Sequence, residues 1–290
     1  MMNKTYEKVI VTGANGYIGS QVIKRLLDNG HKVIAVDFNN NNIDKRAEFY
    51  NDDIFNLNEE LYKKWGLPKA VIHLAWQDGF NHNSESHMAN LMNHFNFLRH
   101  LIDYGVLSVT VMGSVHEVGY HEGAVDENTP CRPLSYYAIA KNTLRELMQV
   151  YTSGKNVSLK WLRGYYITGN DYCNHSIFTK ILEMTKNGQK EFPFTKGDNL
   201  FDFIDINDLA EQVFRCAVQD KIEGIINVCS GKPVAIKDKV EMFIKENSLN
   251  ITLLPGKFPS RKYDSPIIYG DNTKVNLIMD NSKENNNGKF

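Results

Sequence analysis

Cysteine is scarce in this 290-residue chain, and the few cysteines lie far apart. Cys131, Cys173, Cys216 and Cys229 form no CxxC pair, so the spacing typical of a zinc ribbon or a disulfide scaffold is missing. We therefore expect a reducing compartment, the cytoplasm, and no metal site.

Long hydrophobic runs and an excess of one charge are also missing. No apolar stretch approaches the roughly 20 residues that a membrane helix needs, and the opening MMNKTYEKVIVTG lacks the apolar stretch of a signal peptide. The chain has 33 basic and 34 acidic residues, a formal net charge of −1, which gives no general attraction to nucleic acid or an anionic membrane. We expect neither as a partner.

Short β-branched runs alternate with amphipathic segments through the first half of the chain. Helical patterns such as Ile18–Asp28 and His87–Asp103 separate the runs. Near-continuous apolar strands between amphipathic helices are typical of a parallel sheet covered on both faces. The sequence therefore predicts an α/β fold with a Rossmann-type, doubly wound parallel sheet. Its predicted strands are Lys8–Thr12, Lys32–Asp37, Ala70–Leu74, Ser108–Met112 and Ser158–Leu162.

The pattern becomes irregular after Arg163, where aromatic residues, glycine and asparagine are frequent. We interpret residues 164–199 and 232–280 as a smaller C-terminal substrate-binding lobe beside a Rossmann domain of residues 1–163 and 200–231. Residues 281–290 are expected to be a disordered tail because they can bury almost nothing. Later elements are predicted as helices over Ile177–Lys186, Asp205–Val218 and Lys237–Lys245 and as a strand over Gly224–Val228.

The first predicted strand leads into three glycines spaced three residues apart, Gly13, Gly16 and Gly19. In a strand–turn–helix unit the first glycine permits a tight turn, and the second lets the backbone approach a pyrophosphate. The third lets the helix pack close to the sheet. The amides at the helix N-terminus then face the phosphates. This arrangement predicts a dinucleotide site.

Asp37 ends the second predicted strand. A carboxylate at that position can accept hydrogen bonds from the ribose hydroxyls of NAD and would repel the additional phosphate of NADP. No lysine or arginine follows it directly, since the next residues are Phe38, Asn39 and Asn40. The sequence therefore favours NAD(H) over NADP(H) as the cofactor.

Further motifs resemble those of the extended short-chain dehydrogenases/reductases, a family of nucleotide-sugar epimerases, dehydratases and ketoreductases. The glycine loop is similar to the family's TGxxGxxG, and Asn90 falls where the family has a structural asparagine. The resemblance covers most of the chain. The other matching segments are DI (53–54), HLAW (73–76), DENTP (126–130), YAIAK (137–141), FDFIDI (201–206) and RKYDSP (261–266).

The resemblance implies a nucleotide-sugar substrate, a homodimer formed through helices 87–103 and 135–151, and a set of site residues. Ser114, Tyr166 and Arg261 would contact the substrate, although Tyr166 and Leu200 replace family residues that usually seat the nucleotide diphosphate. The cofactor-binding residues implied are Gly13, Asn15, Gly16, Tyr17, Ile18, Gly19, Asp37, Asp53, Ile54, Leu74, Ala75, Tyr137 and Lys141.

Tyr137 and Lys141 lie one helical turn apart on the same predicted face. A free tyrosine has a pKa of about 10 and carries protons poorly at neutral pH. We expect the Lys141 ammonium, together with the positive nicotinamide ring, to lower the pKa of Tyr137. Ser114 lies five residues before Gly119, as in the family. It would bond the carbonyl oxygen that Tyr137 protonates while hydride moves between substrate and nicotinamide.

Two departures from the family pattern bear on the reaction. The Asp-Glu pair of sugar dehydratases is replaced by Val115 and His116, with Glu117 one place late, which disfavours dehydration. Bifunctional epimerase-reductases of GDP-sugars carry a cysteine after the serine, and here Val115 stands in its place, although His175 falls near the position of their histidine.

We therefore predict the NAD(H)-dependent reduction of a nucleotide-linked 4-keto-6-deoxy sugar, for example dTDP-4-dehydro-6-deoxyglucose, in deoxysugar or surface polysaccharide biosynthesis. One alternative is a nucleotide-sugar 4-epimerase that works through a transient 4-ketone, which needs the same residues. A second alternative is a catalytically dead NAD-sensing regulator, although such a protein would be expected to lose Tyr137 or Lys141.

Overall fold

The computed structural model describes residues 6–169, 172, 174, 176–259 and 264–287. The strands are β1 (Lys8–Thr12), β2 (Lys32–Val36), β3 (Glu48–Tyr50), β4 (Ala70–His73), β5 (Ser108–Ser114), β6 (Gly123–Val125), β7 (Ser158–Gly164), β8 (Tyr166–Thr168), β9 (Glu191–Pro193), β10 (Leu200–Asp205), β11 (Gly224–Val228), β12 (Pro233–Ala235), β13 (Thr252–Leu254) and β14 (Ile267–Gly270). The helices are α1 (Tyr17–Asp28), α2 (Glu59–Lys64), α3 (Ser86–Ala89), α4 (Leu91–Asp103), α5 (Tyr136–Thr152), α6 (Ile177–Lys186), α7 (Ile206–Ala217), α8 (Ile236–Glu246) and α9 (Thr273–Asn287).

Within the described ranges, a seven-stranded sheet has the order β11-β7-β5-β4-β1-β2-β3, and all its neighbouring strands are parallel. The chain order reverses between β1 and β4. In an open α/β sheet, a crevice for ligands forms at such a reversal, outside the carboxyl ends of the strands. The glycine loop follows β1 and therefore lies at this crevice.

Helices cover both faces of the sheet because its strands are apolar on both sides. Val9 and Val11 of β1 pack into one buried layer with α1, α7 and the start of α9, and Ile10 packs into the opposite layer with α4 and α5. Successive strand residues point to opposite faces, so the continuous apolar run VIV requires a helix layer on each side. This is the doubly wound architecture that the sequence predicts.

A second sheet lies beside the carboxyl ends of the first. It has the order β12-β10-β14-β6, with β8 paired to β10, and β13 and β9 form a separate two-stranded sheet. Under it, α6 and α8 bury Phe178, Ile181, Phe194 and Val240. Two placements differ from the predicted division of the chain: β10 belongs to this second sheet, and α9 packs against α7 and β11 of the first. The division into two lobes stays a prediction.

Element boundaries differ from the sequence expectations at a few positions. The predicted strand Lys32–Asp37 ends at Val36, β5 and β7 each extend two residues further, and the predicted helix over 87–103 is interrupted at Asn90.

No helix among the described residues is long and apolar enough to span a membrane.

Helix α9 continues over residues 281–287, and residues 288–290 lie outside the described part; the expected disordered tail 281–290 stays a prediction. The Asp271 carboxylate accepts hydrogen bonds from the Thr273 amide and hydroxyl at 2.8 and 2.6 Å, and Val275 and Ile278 are buried against α7. Once a helix is nucleated, each added residue costs little, so a polar segment can remain helical.

Candidate active site

The glycine loop is tight enough that two of its glycines leave no room for a side chain. Gly13 has φ +65°, and a Cβ there would lie 2.7 Å from the Ala75 nitrogen. A Cβ on Gly19 would lie 2.1 Å from the Gly13 carbonyl oxygen. Gly16 is the N-cap residue of α1 and has an extended backbone. No side chain among the described residues caps the N-terminus of this helix. The first turn of α1 is therefore suited to receive an anion such as a pyrophosphate.

Asp37 lies beside this loop and stabilises it. Its carboxylate accepts hydrogen bonds from the Asn15 amide at 2.9 Å and from the Phe38 amide at 2.7 Å. The Asn15 side chain in turn accepts one from the Asn42 amide at 2.7 Å. A carboxylate fixed at the end of β2 is placed for the ribose hydroxyls of a dinucleotide bound at the loop.

The other predicted cofactor residues follow the same edge of the sheet. Asp53 caps a short 3-10 helix by accepting from the Phe55 amide at 3.0 Å, and Ile54 behind it is buried. Leu74 and Ala75 directly follow β4, and the Ala75 amide donates to the Thr12 hydroxyl at 3.3 Å. Tyr17 and Ile18 begin α1 and are half-buried; the Tyr17 hydroxyl donates to the Gly169 carbonyl.

Ser114 and Tyr137 come together from different elements. Ser114 is the last residue of β5, and Tyr137 lies in the first turn of α5, which Ser135 caps through the Ala138 amide at 3.3 Å. The backbone amide of Tyr137 donates to the His82 carbonyl at 2.9 Å. The Ser114 side chain lies close enough to the Tyr137 hydroxyl to lower the pKa of Tyr137. The predicted serine and tyrosine are therefore one contiguous pair.

Lys141 is buried one turn further along α5, with 3% of its surface exposed. Its Nζ donates to the Met112 carbonyl at 2.7 Å, lies 3.7 Å from the Trp76 ring centroid and 5.9 Å from that of Tyr137. Burial lowers the pKa of Lys141 to about 7, and the charge of Glu117 opposes this effect. The lysine is thus part of the site and does not point to bulk water.

The expected lowering of the Tyr137 pKa is not a property of the protein alone. Burial raises the pKa of Tyr137 to about 12, and the hydrogen bond from Ser114 only partly offsets this effect. The physical reason is that the Lys141 ammonium is directed to Met112 and Trp76, so desolvation of the phenol dominates. This corrects the sequence argument, which relied on Lys141 as well as on a positive nicotinamide ring.

A cluster of aromatic and histidine rings surrounds Tyr137, and sequence analysis missed it. The His82 ring stacks on Tyr137 with centroids 5.0 Å apart, and Trp76 and His87 lie edge-on at 6.2 and 5.4 Å. Trp76 is fixed by a 3.0 Å hydrogen bond from its Nε1 to His87. The loop that contributes these residues is polar and aperiodic, so no sequence signal indicated that it folds over the tyrosine.

Two buried histidines, His73 and His94, form a hydrogen-bonded pair that packs against Trp76. The Thr12 hydroxyl and His73 Nδ1 are 2.8 Å apart, and His73 Nε2 and His94 Nδ1 are 2.9 Å apart. Burial lowers the pKa of His94 to about 3 and that of His73 well below its usual value. The pair is therefore neutral at physiological pH, and the His94 ring stacks on Trp76 at 4.4 Å.

A cleft of about 620 Å³, its open mouth included, begins beside this ring cluster. Tyr166, the only predicted substrate residue besides Ser114 that falls in the described ranges, lines it, as do His82 and His116. Arg261, the third predicted substrate residue, and His175 lie outside the described residues. The cleft is bounded by both sheets, since Val115 follows β5 and Ile268 belongs to β14.

Glu117 is fully buried behind Ser114 rather than in the cleft. It therefore cannot take the place of a dehydratase acid at the cleft surface. His116, in contrast, lines the cleft. Glu117 and His116 thus lie on opposite sides of the same short turn.

Residues of the remaining motifs join chain segments. The buried Asp202 carboxylate accepts hydrogen bonds from the amides of Ser230, Gly231 and Gly270 at 2.9, 2.9 and 3.1 Å. Asp126 accepts from the Thr129 hydroxyl at 2.8 Å within its own loop. Asn90, at the break between α3 and α4, donates to Gln77 at 3.3 Å. These contacts link the two sheets and the loops around the cleft.

A family model described as the NAD dependent epimerase/dehydratase family matches residues 9–229. A dTDP-6-deoxy-L-talose 4-dehydrogenase (NAD(+)) from Aggregatibacter actinomycetemcomitans is 46% identical over 269 residues, 90% of this chain and 98% of that protein. A putative UDP-glucose 4-epimerase from Methanocaldococcus jannaschii is 26% identical and matches 82% of each chain.

Solved structures show the same fold. A UDP-N-acetylglucosamine 4-epimerase from Methanobrevibacter ruminantium superposes with a TM-score of 0.82 at 19% identity and covers 94% of this chain and 92% of that one. A UDP-glucuronic acid 4-epimerase from Bacillus cereus, solved with UDP-glucuronic acid and NAD, has a TM-score of 0.80 at 22% identity, with 94% and 93% coverage.

Proposed function

The chain belongs to the NAD dependent epimerase/dehydratase family, and from this premise we propose that it transfers hydride between NAD and C4 of a dTDP-linked 6-deoxy sugar. The family, the Rossmann-type fold and NAD as cofactor are confirmed sequence predictions. The observation that carries the proposal is the 46% identity with a dTDP-6-deoxy-L-talose 4-dehydrogenase over 98% of that protein. Oxidation of the C4 hydroxyl and reduction of the 4-ketone are the two directions of one reaction.

The residues around the crevice fit NAD. The uncapped first turn of α1 would hold the pyrophosphate, Asp37 would accept from the adenosine ribose hydroxyls, and Asp53 with Ile54 would border the adenine. Asn15, Tyr17, Ile18, Leu74 and Ala75 would contact the dinucleotide between these points. Lys141 would donate to the nicotinamide ribose. When bound, NAD accepts or returns the hydride.

Tyr137 would hold the proton that moves on and off the sugar O4. In the oxidative direction its phenolate takes the O4 proton, and in the reductive direction its phenol returns one. Ser114, which lies next to the Tyr137 hydroxyl and lowers its pKa, would donate to O4 and orient it. Because the protein alone keeps the pKa of Tyr137 at about 12, a nearby positive charge brought by oxidised NAD is what would favour the phenolate.

The cleft beyond Ser114 suits a sugar with an apolar end. Tyr166, Leu134 and Ile268 present rings and methyl groups there, while His82 and His116 supply polar atoms. The methyl group at C6 of a 6-deoxy sugar would pack on the apolar side. Arg261 would grip the pyrophosphate of the dTDP group, since a guanidinium binds phosphate oxygens in a bidentate manner.

The test is an absorbance assay at the NADH band with purified protein. With dTDP-6-deoxy-L-talose and NAD, the protein should form one NADH per sugar oxidised, and with the 4-keto sugar and NADH it should consume one. Tyr137→Phe should lower kcat by about a thousandfold, the scale of general acid–base catalysis, while the Kd for NADH changes little. Tyr136→Phe is the matched control, because Tyr136 is exposed and adjacent.

The same assay separates the alternatives. A 4-epimerase would interconvert dTDP- or UDP-sugars with no net change in NADH, as the names of several relatives suggest for those proteins. A regulator without catalysis would bind NADH and turn over no sugar in a panel of dTDP-, UDP-, GDP- and CDP-linked substrates. Either result would refute the dehydrogenase proposal.

Homodimerisation is part of the proposal. Met88, Met92, Tyr136, Ile139 and Val150 are apolar or aromatic residues of α3, α4 and α5 that are at least one-third exposed. Helix α5 contacts both α3 and α4, and a large exposed apolar patch on a protein surface marks an interaction site. We expect light scattering to give twice the chain mass of 33.2 kDa and Met92→Glu with Ile139→Glu to give the monomer mass.

A further inference from the structure

Glu117 is a carboxylate with no exposed surface whose contacts all lie behind the active site. Its Oε1 accepts a 2.7 Å hydrogen bond from the backbone amide of Ser114. Both carboxylate oxygens are 3.0 Å from Trp161 Nε1, and Arg163 Nε lies 3.8 Å from Oε2. Arg163 is equally buried. Burial raises the pKa of Glu117, while Arg163, the Ser114 amide and Trp161 act in the opposite direction, so these three partners are what holds the carboxylate in place.

Gly113 makes this arrangement possible. A Cβ at that position would lie 2.1 Å from Trp161 Nε1 and 2.5 Å from Glu117 Oε1, so any side chain would displace the carboxylate or the indole. Even a side chain as small as that of serine is thus incompatible with the observed packing. Gly113, Glu117 and Trp161 form one packing unit.

The unit is built on two neighbouring strands. β5 and β7 pair in parallel with Val111 opposite Trp161 and Gly113 opposite Arg163. The two side chains that hold the Glu117 carboxylate are therefore fixed by the same ladder that carries Ser114. The short 3-10 turn 115–117 begins at Ser114, whose hydroxyl accepts from the His116 amide at 3.3 Å.

We propose that Glu117 is a positioning residue, which fixes the backbone and hydroxyl of Ser114 against the Tyr137 hydroxyl, and that Gly113 is required to admit it. The inference rests on the proposed function, in which Ser114 contacts the reacting oxygen. Glu117 touches neither the cleft nor the crevice. Its charge also acts on Lys141 and Tyr137, but among these residues its hydrogen bond goes to Ser114. The Trp161 and Arg163 side chains hold the carboxylate in the orientation that receives the Ser114 amide.

The test compares Glu117→Gln, Glu117→Ala and Ser114→Ala in the absorbance assay, with concentrations taken from NADH binding sites so that only folded enzyme is counted. Glu117→Ala should lower kcat by about 10- to 100-fold, the cost of a small misplacement of a reacting group. KM for NAD should change less than about twofold. Glu117→Gln keeps an oxygen that can accept from the Ser114 amide and should retain more activity than Glu117→Ala.

A double mutant separates positioning from a general structural role. If Glu117 acts through Ser114, then Ser114→Ala/Glu117→Ala should be no slower than Ser114→Ala, because the two losses are not additive. Asp202→Asn is the control for a buried carboxylate elsewhere: it should lower thermal stability while kcat per folded enzyme changes less than about twofold. Additive losses, or wild-type kcat in Glu117→Ala, would overturn the inference.

Two further measurements keep the inference testable. If the Glu117 variants do not fold, Trp161→Phe retains the ring and removes only the Nε1–H donor, and it should lower kcat severalfold; unchanged kcat would overturn the inference. If wild type turns over no sugar, the proposed function fails. Hydrogen exchange then still tests whether Glu117 holds Ser114 in place. The Ser114 amide should exchange about tenfold faster in Glu117→Ala or Trp161→Phe than in wild type, with Val109–Val111 unchanged. An unchanged Ser114 rate would refute it.

Discussion

Replacing Lys141 by methionine should stabilise the folded protein, and the gain should shrink as the pH rises. Lys141 is 3% exposed, and burial lowers its pKa from 10.5 to about 7. Methionine has a similar length and no charge to desolvate. The lysine costs stability because its ammonium is taken out of water, and the Met112 carbonyl and the Trp76 ring repay only part of the lost hydration.

The sign and size follow from linkage. Between pH 7 and 10.5 the unfolded chain keeps the Lys141 proton while the folded protein has lost it, so the free energy of unfolding of wild type rises with pH in this window. Below pH 7 the folded protein also keeps the Lys141 proton, so the free-energy cost of burying the charge reaches its full size there. From pH 6 to pH 9 the difference between Lys141→Met and wild type should fall by roughly 2 to 3 kcal/mol.

The assay is urea unfolding of both proteins at pH 6, 7, 8 and 9, followed by tryptophan fluorescence without cofactor. Comparing the two proteins at each pH cancels the titration of groups they share. Lys180→Met, on the exposed side of α6, is the control for exchanging a lysine for methionine. A difference for Lys141→Met that is constant from pH 6 to 9, or that grows with pH, would refute the buried, weakly basic lysine described above.

Three further outcomes are expected. Gly19→Ala should cost about 1 to 3 kcal/mol of stability by overpacking because its Cβ would meet the Gly13 oxygen at 2.1 Å, whereas Gly16→Ala, at 3.1 Å, should leave Tm without cofactor nearly unchanged. Asp37→Asn should raise KM for NAD about 10- to 100-fold by weakening charge-assisted hydrogen bonds to the ribose. It should also raise kcat/KM with NADP relative to kcat/KM with NAD; an unchanged ratio of the two values would contradict this role of Asp37. Asp202→Asn should cost about 2 to 4 kcal/mol in chemical unfolding, since it weakens the acceptor of several backbone amides; wild-type stability would disprove the account of that junction.

The parts of the fold with strictly local causes were predictable from sequence. The VIV run of β1 and the glycines after it predict a buried parallel strand followed by a tight turn, and the structure has both. The spacing of Tyr137 and Lys141 places both on one face of α5. Each of these features depends on residues close together in the chain.

The parts that depend on contacts between distant segments could not be predicted. Nothing in the polar loop around His82 indicates that its ring stacks on Tyr137. Glu117 is one place too late for a dehydratase acid, but only the neighbouring Trp161 and Arg163 show that it points inward. The pKa of Tyr137 was also misjudged, because the sequence gives its distance from Lys141 but not the burial of both groups.

We propose net hydride transfer at the sugar C4 beside Tyr137. The most direct measurement uses dTDP-6-deoxy-L-talose labelled with deuterium at C4, mixed with NAD and the protein, followed by mass spectrometry of the nucleotides. We predict NADH one mass unit heavier, formed in equal amount with an unlabelled 4-keto sugar, and almost none with Tyr137→Phe. Deuterium that stays on the sugar while C4 inverts, with no free NADH, would contradict the account.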